Sequence, residues 1–196
     1  EAEKATVRQI IKLEEKGLQT YHKSKKDSLA YIQLLNSGEL AESANQGTVG
    51  ILLDRTPFYG ESGGQVGDTG MITGNGEIRI DDCKRPDNYF FHLGEITSGT
   101  IKVGEEVSAA IDAPRRLAIM RNHTGTHILQ AALRAVLGPG VEQAGSIVEE
   151  DRLRFDFTYP KGLTPDQIRS IEDWCNELIL EDVPVKKEEM SMPEAK

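Results

Sequence analysis

Between Gly47 and Ile111 the sequence alternates short apolar runs with glycine-rich turns, and this spacing strongly restricts the folds open to the chain. The segment "GTVGILLD" is typical of a buried strand, and "MITGNGEIRIDDCKR" predicts two strands joined by a hairpin turn at "TGNG". The segments "NYFFHLGEI" and "EEVSAAID" predict further strands. Short strands at this spacing indicate a small antiparallel β-barrel or sandwich that ends near Ile111.

After Asp112 the pattern becomes helical. Asp112 can cap the first turn, Pro114 stands where its missing N–H does no harm, and Gly138-Pro139 ends the helix. The segment "SIVEEDRLRFDFTY" then alternates as a hairpin, and Thr164 opens a second helix with a capping box. That helix is expected to bury an apolar stripe made of Ile168, Ile171, Cys175, Leu178 and Ile179.

The predicted fold class is therefore α+β, in two domains. Residues 1–111 are expected to form a β-barrel-like subdomain, and residues 112–196 an α+β module with two long helices and antiparallel strands. The secondary structure of the first 45 residues is the hardest to predict from the sequence. There "ATVRQIIK" is either a short strand or the start of a helix running on to "YIQLL", and the spacing of its Val and Ile residues favours the helix.

Composition and charge exclude several classes of protein. With 38% hydrophobic and 28% charged residues the chain is ordinary for a soluble protein, and no apolar run approaches the ~20 residues of a membrane span. The N-terminus lacks the layout of a secretory signal, and two distant cysteines make no disulfide framework, so a cytoplasmic location without a membrane partner is expected. The net charge of −9 argues against a general nucleic-acid binder but not against a local basic patch.

Two histidines, His123 and His127, stand four residues apart inside the first predicted helix. At about 100° per residue they lie one turn apart on one face, and such a pair can chelate one zinc ion. No Glu follows His123, so a zinc-protease motif is excluded. The spacing alone favours two boundary histidines over a metal site. Zinc needs further ligands, and the other candidates, Cys83, His92 and Cys175, form no clear cluster.

The stretch "DRTPFYGESGGQVGDTG" combines five glycines with hydroxyl and amide side chains, among them Thr56 and Gln65. Glycine lets a backbone approach a neighbour closely, and Thr and Gln supply hydrogen bonds. The stretch lacks both the lysine of a phosphate-binding P-loop and the spacing of a dinucleotide fingerprint. It holds more special residues than a turn needs, which favours a binding loop. Candidate phosphate contacts lie just before the histidines, at Arg115, Arg116 and Arg121.

Four stretches, in order, resemble the editing region of the alanyl-tRNA synthetase family: "LLDRTPFYGESGGQVGDTG", "APRRLAIMRNHTGTHILQAALRAVLG", "VEQAGSIVEEDRLRFDFTY" and "IEDWCNELI". The resemblance covers residues 47–196 and the first 45 residues loosely. It implies a hydrolase that removes serine or glycine from wrongly charged tRNA(Ala), within an enzyme that ligates alanine to tRNA(Ala) using ATP. The implied partners are the acceptor end of tRNA(Ala) and the rest of the synthetase chain, with the oligomeric state left open.

The resemblance also implies site residues. In the family a His-x-x-x-His pair and a later Cys-x-x-x-His pair hold one zinc ion, and His123 and His127 match the first pair. This favours metal ligands over boundary histidines. Thr56 and Gln65 match positions of the pocket that receives the aminoacyl group. The departures are small: Thr124-Gly125 stands where the family usually has Ser-Ala, and Gly60 where it has Ala.

The second pair of zinc ligands is missing from this sequence, since no Cys-x-x-x-His follows His127. The full site is expected to need a Cys and a His beyond residue 196, so the isolated chain is expected to be largely apo and poorly active. Two alternatives remain. One is a free-standing editing protein, against which the length argues. The other is a non-catalytic module that binds the acceptor end of tRNA.

Overall fold

The computed structural model describes residues 2–14, 34, 37–86 and 89–185. Most of the helix predicted to run from "ATVRQIIK" on to "YIQLL" lies outside these residues. The described residues form the following strands: β1 Glu3–Lys12, β2 Glu39–Ala41, β3 Ser43–Ala44, β4 Thr48–Leu53, β5 Gly70–Thr73, β6 Gly76–Lys84, β7 Phe91–Gly99, β8 Ile101–Lys102, β9 Glu106–Ile111, β10 Gln143–Val148 and β11 Leu153–Phe157. Two long helices are described as well: α1 Ala113–Leu137 and α2 Pro165–Leu180.

Six of the strands close an antiparallel barrel. Their order is β1, β4, β7, β6, β5, β9, and β9 pairs back to β1, with Glu3 opposite Ala109. β2 adds a short strand to the edge of β1. The interior is filled by small and β-branched side chains, such as Val49, Ile51 and Ile80, which suit a pleated, enclosed surface. The α+β class, with a small antiparallel barrel, two long helices and a further strand pair, is confirmed.

The helix favoured for "ATVRQIIK" is wrong, because this segment is strand β1. The register of β1 against β4 shifts between Val7 and Gln9, which marks a β-bulge. One extra residue therefore separates Val7 from Ile10, and both side chains are fully buried in the barrel core although they are three apart. The bulge therefore accounts for two buried residues spaced three apart in a strand, a spacing that is otherwise typical of a helix.

The capping predictions for the two helices agree with the structure. Asp112 accepts a hydrogen bond from Arg115 N–H through Oδ1 (3.0 Å), and α1 ends before Gly138, whose φ is 107°. Thr164 and Gln167 form a reciprocal capping box at the start of α2, with Pro165 in the first turn. Between the helices, β10 and β11 form a two-stranded sheet whose turn residues, Glu149 and Arg152, are hydrogen-bonded.

The burial predicted for the helices is only partly right. In α2 Ile171 is buried, but Ile168 is 45% and Ile179 56% exposed, and Cys175 is half-buried. In α1 two large apolar side chains, Leu117 and Met120, are exposed. Helical periodicity predicts which residues share a face, whereas burial depends on whether another element covers that face.

Contacts divide the chain into two compact units. One holds residues 1–123 and 146–154, including the whole barrel, and the other holds residues 124–145 and 155–196. The division into domains after Ile111 stays a prediction. Among the described residues, neither α1 nor α2 has the length and apolar character that a membrane crossing requires.

Candidate active site

The loop between Thr56 and Asp68, hereafter the glycine-rich loop, is held at its ends by a buried carboxylate. Asp68 is 1% exposed and accepts hydrogen bonds from Tyr59 N–H (2.8 Å) and from Nε of Arg116 (2.8 Å). Arg116 also donates to the carbonyl of Pro57 (3.1 Å). Charge-assisted bonds of this kind are stronger than neutral ones, so the first turns of α1 anchor the loop.

Glycines in this loop allow contact with the protein's own backbone. A Cβ atom on Gly64 would lie 2.4 Å from the carbonyl oxygen of Ser146, and one on Gly67 would lie 2.1 Å from that of Cys83. Gly64 also has a φ of 84°, in the left-handed region. The glycines at these positions therefore serve the packing of the loop against β10 and β6. The close approach predicted from the sequence is therefore, at these two positions, an approach to the protein's own backbone.

Gln65 joins the glycine-rich loop to the histidine motif. Its side chain is buried, and its Oε1 lies 2.5 Å from Nδ1 of His123. Because an amide oxygen only accepts, His123 donates from Nδ1, and in the neutral ring the lone pair is then on Nε2. Histidines that bind metals usually have this arrangement, with the other ring N–H given to a carbonyl or carboxylate. The tautomer of His123 therefore suits a zinc ligand.

His127 follows one turn later on α1, and its side chain is exposed. Two histidines four residues apart on one helix are a common pair of zinc ligands. Within the described part of the chain, however, no three His, Cys, Asp or Glu side chains are grouped so as to hold a metal ion. The zinc assignment of His123 and His127 accordingly stays a prediction that depends on further ligands.

Thr56 is hydrogen-bonded to a buried histidine. Its Oγ1 lies 2.7 Å from Nε2 of His92 and accepts the N–H of Phe58 (3.1 Å). His92 is fully buried, its Nδ1 lies 2.9 Å from the carbonyl oxygen of Ile51, and the Phe58 ring packs edge-on against it. Burial lowers the pKa of His92 to about 4, so the ring is neutral at pH 7. An open pocket of about 380 Å³ is lined by Thr56 together with Leu52, Leu53, Asp54, Arg55, Tyr89 and Phe90.

The three candidate tRNA-contact arginines differ in their surroundings. Arg116 is paired with Asp68, and Arg115 donates to the carbonyl of Gly67 (2.9 Å) and pairs with Glu150 (3.2 Å). Arg121 is exposed. The structure thus gives the first two a role in anchoring the loop, and their contact with tRNA remains a prediction, as does that of Arg121.

The other zinc candidates named from the sequence belong to no group of three such side chains among the described residues. Both ring nitrogens of His92 are hydrogen-bonded to Thr56 and Ile51. Cys83 is fully buried, and burial raises the pKa of its thiol well above the ordinary value, which keeps it protonated. Cys175 lies half-buried on α2, and burial raises the pKa of its thiol as well.

Comparison with known proteins places the chain in a family. A family model described as tRNA synthetases class II (A) matches residues 1–115, more than half of the chain. The chain belongs to this family. The match includes the first 45 residues, where the resemblance from sequence was loose.

The chain is similar to several alanine-tRNA ligases. It is 51% identical over 168 residues to the alanine-tRNA ligase of Acetivibrio thermocellus, which is 84% of this chain and 19% of that protein. It is 47% identical over 165 residues to the alanine-tRNA ligases of Trichormus variabilis and Chloroflexus aurantiacus, 83% of this chain in each case and 19% and 18% of those proteins. The chain thus spans about a fifth of the length of these relatives.

Sequence reasoning missed two residues that shape the site. Asp68 was not singled out within the glycine-rich stretch, and His92 was considered only as a zinc candidate. A signal for His92 was present in the run "YFFHLG", where one polar residue interrupts an apolar strand. A histidine in such a position must find hydrogen-bond partners inside the protein.

Proposed function

We propose that the chain is the editing region of an alanine-tRNA ligase and hydrolyses the ester of serine or glycine wrongly attached to tRNA(Ala). The parent enzyme would ligate alanine to tRNA(Ala) using ATP. Membership of the class II (A) family and the similarity to alanine-tRNA ligases support the parent activity. The editing activity is supported by the residues around the glycine-rich loop.

One observation carries the proposal most directly. Gln65 and His123 are 58 residues apart in sequence, yet Gln65 Oε1 lies 2.5 Å from His123 Nδ1. The contact joins the loop expected to receive the aminoacyl group to the helix expected to hold zinc. Gln65 sets the tautomer of His123 and orients its ring, as second-layer carbonyls do around metal-binding histidines.

The need for such a site follows from the size of the amino acids. Serine differs from alanine by one hydroxyl and glycine by one methyl group, and a small pocket rejects such neighbours by only about 10–200-fold. A second, hydrolytic site removes the errors. Zinc held by His123, His127 and two further ligands would supply Lewis-acid chemistry or an anchor for the terminal ribose. In this chain Thr56 would contact the aminoacyl group, and Arg121 would contact phosphate.

The proposal is tested by deacylation with the full-length enzyme. Ser-tRNA(Ala), Gly-tRNA(Ala) and Ala-tRNA(Ala) are incubated separately with enzyme in the absence of ATP and alanine. We expect the first two to be hydrolysed and the third to be spared. Hydrolysis of none of the three above the rate without enzyme would contradict an editing function.

A non-catalytic module that binds the acceptor end of tRNA is the second candidate. It is favoured for the isolated chain because the described residues supply no third zinc ligand. A filter-binding titration with uncharged tRNA(Ala), run beside the deacylation assay, separates the two. Binding by the full-length enzyme without hydrolysis of Ser-tRNA(Ala) would support the second candidate.

For the 196-residue chain by itself we expect a folded protein that binds zinc weakly. Two histidines leave half of a tetrahedral site to water, and affinity comes from several organised ligands. The barrel core is apolar and contains none of the proposed ligands, so folding should not need metal. Metal analysis before and after a mild chelator, with circular dichroism, measures both properties. Stoichiometric zinc that survives the chelator would show that further ligands lie within the chain.

A further inference from the structure

The hydrogen bonds of His92 determine whether the Thr56 hydroxyl donates its proton to the ring or accepts one from it. The carbonyl oxygen of Ile51 can only accept, so the 2.9 Å contact requires the proton of the ring to be on Nδ1 of His92. The ring is neutral because burial lowers the pKa of His92 to about 4. Its Nε2 is therefore an acceptor, and Thr56 must donate its hydroxyl proton across the 2.7 Å contact.

The oxygen of Thr56 is then left with acceptor capacity alone. A threonine hydroxyl has one donor and two acceptor positions. The donor is used by His92, and one acceptor position is used by the N–H of Phe58 (3.1 Å). The one position that remains can only receive a proton from a ligand. The ring of Phe58 packs edge-on against the imidazole of His92, with 5.1 Å between the ring centroids. This contact helps to hold the imidazole in its orientation.

We propose that His92 is a positioning residue that keeps the Thr56 hydroxyl proton turned inward, so that Thr56 selects aminoacyl groups that bear a hydrogen-bond donor. The inference rests on the proposed editing function and names how that site recognises its substrate. A seryl side chain can donate from its hydroxyl. Alanyl and glycyl side chains carry no donor, and a side chain with only an acceptor would meet the bare oxygen of Thr56 unfavourably.

The tautomer of His92 is measured first, by nitrogen-15 NMR of the histidine rings in the 196-residue chain at pH 7. The His92→Gln variant assigns the signals by their disappearance. We expect Nδ1 to be protonated and Nε2 to be unprotonated. A proton on Nε2 would overturn the inference, because His92 would then donate to Thr56 and leave the threonine proton for the ligand. This measurement does not depend on any catalytic activity.

The substrate side is measured in the full-length enzyme as the ratio of kcat/KM for Ser-tRNA(Ala) to that for tRNA(Ala) charged with 3-fluoroalanine. Fluorine is close to a hydroxyl in size but cannot donate. We expect a preference for serine of about two- to tenfold, the worth of one hydrogen bond. Thr56→Val should abolish this preference, and His92→Phe should reduce it. His92→Gln, which offers an acceptor oxygen, should retain part of it.

A double variant distinguishes positioning from a general structural effect. If His92 acts through Thr56, adding His92→Phe to Thr56→Val leaves the substrate ratio unchanged. The inference would be overturned if the single His92→Phe variant kept the wild-type ratio of kcat/KM values. It would also be overturned if His92→Phe changed this ratio equally in the wild-type and Thr56→Val backgrounds. If wild-type enzyme hydrolyses neither substrate, the proposed function fails and the substrate preference fails with it. The NMR measurement of the His92 tautomer would remain valid, because it does not depend on hydrolysis.

Discussion

We expect His123→Ala, made in the full-length enzyme, to remove bound zinc and to lower deacylation of Ser-tRNA(Ala) at least a hundredfold. Loss of one of four ligands usually ruins a tetrahedral zinc site, and even residues that only orient the ligands contribute about 10–100-fold. His127→Ala should have the same effect, because His127 lies one turn further on the same helix. Zinc content by elemental analysis and deacylation rates give the result.

The matched control is Arg134→Ala, an exposed position near the C-terminal end of the same helix. It should leave both zinc content and hydrolysis within a factor of two of wild type, since it changes only the exposed face of the helix. A further comparison is Gln65→Ala, which removes the acceptor of His123 Nδ1 and should reduce hydrolysis with only partial loss of zinc. Full zinc content and full hydrolysis in either histidine variant would show that the ligand assignment is wrong.

The second large effect concerns pH and stability. The pKa of His92 is about 4 in the folded chain and ordinarily 6.5. Between pH 6.5 and 4, His92 is protonated in the unfolded chain but remains neutral in the folded chain. The free energy of unfolding therefore falls as the pH is lowered. His92 contributes its full stabilisation above pH 6.5, and about 3 kcal/mol of it is lost by pH 4. This is a large fraction of the 5–15 kcal/mol typical of whole domains. Urea titrations monitored by circular dichroism across this pH range measure it.

The control for this effect is a variant that lacks the ring. His92→Phe should unfold more easily at pH 7 but show a flatter dependence of the free energy of unfolding between pH 6.5 and 4. Asp54, whose pKa is lowered by the N–H of Thr6, keeps its full stabilisation above its ordinary pKa of 3.8 and loses it only below that pH, outside this range. A His92→Phe variant with the full wild-type slope would contradict the prediction.

Local sequence signals predicted the elements that depend on nearby residues. The caps at Asp112 and Thr164 involve atoms three residues away, so the residue types at those positions were sufficient. The hairpin at "TGNG" was legible for the same reason. β1 was misread because a bulge changes the period of a strand, and the bulge is a property of its pairing with β4.

Burial and the use of glycines were harder to predict. The spacing of apolar residues on α2 is helical, yet Ile168 and Ile179 are exposed, because amphipathicity does not specify what covers a face. Glycines in the loop after Thr56 predicted a close approach without identifying the neighbour. At Gly64 and Gly67 the neighbour is the backbone of β10 and β6.

The sequence by itself determined that a barrel of short strands precedes a helix with His123 and His127 one turn apart. Strand spacing, caps and helical periodicity express interactions within a few residues. Only the tertiary structure decided which polar side chains meet: Gln65 with His123 across 58 residues, and Thr56 with His92 across 36. These pairs exist because barrel closure and the Asp68–Arg116 ion pair bring distant strands, loop and helix together. The neutral state of His92 then follows from its burial, and its tautomer follows from the Ile51 carbonyl, neither of which is visible in local spacing.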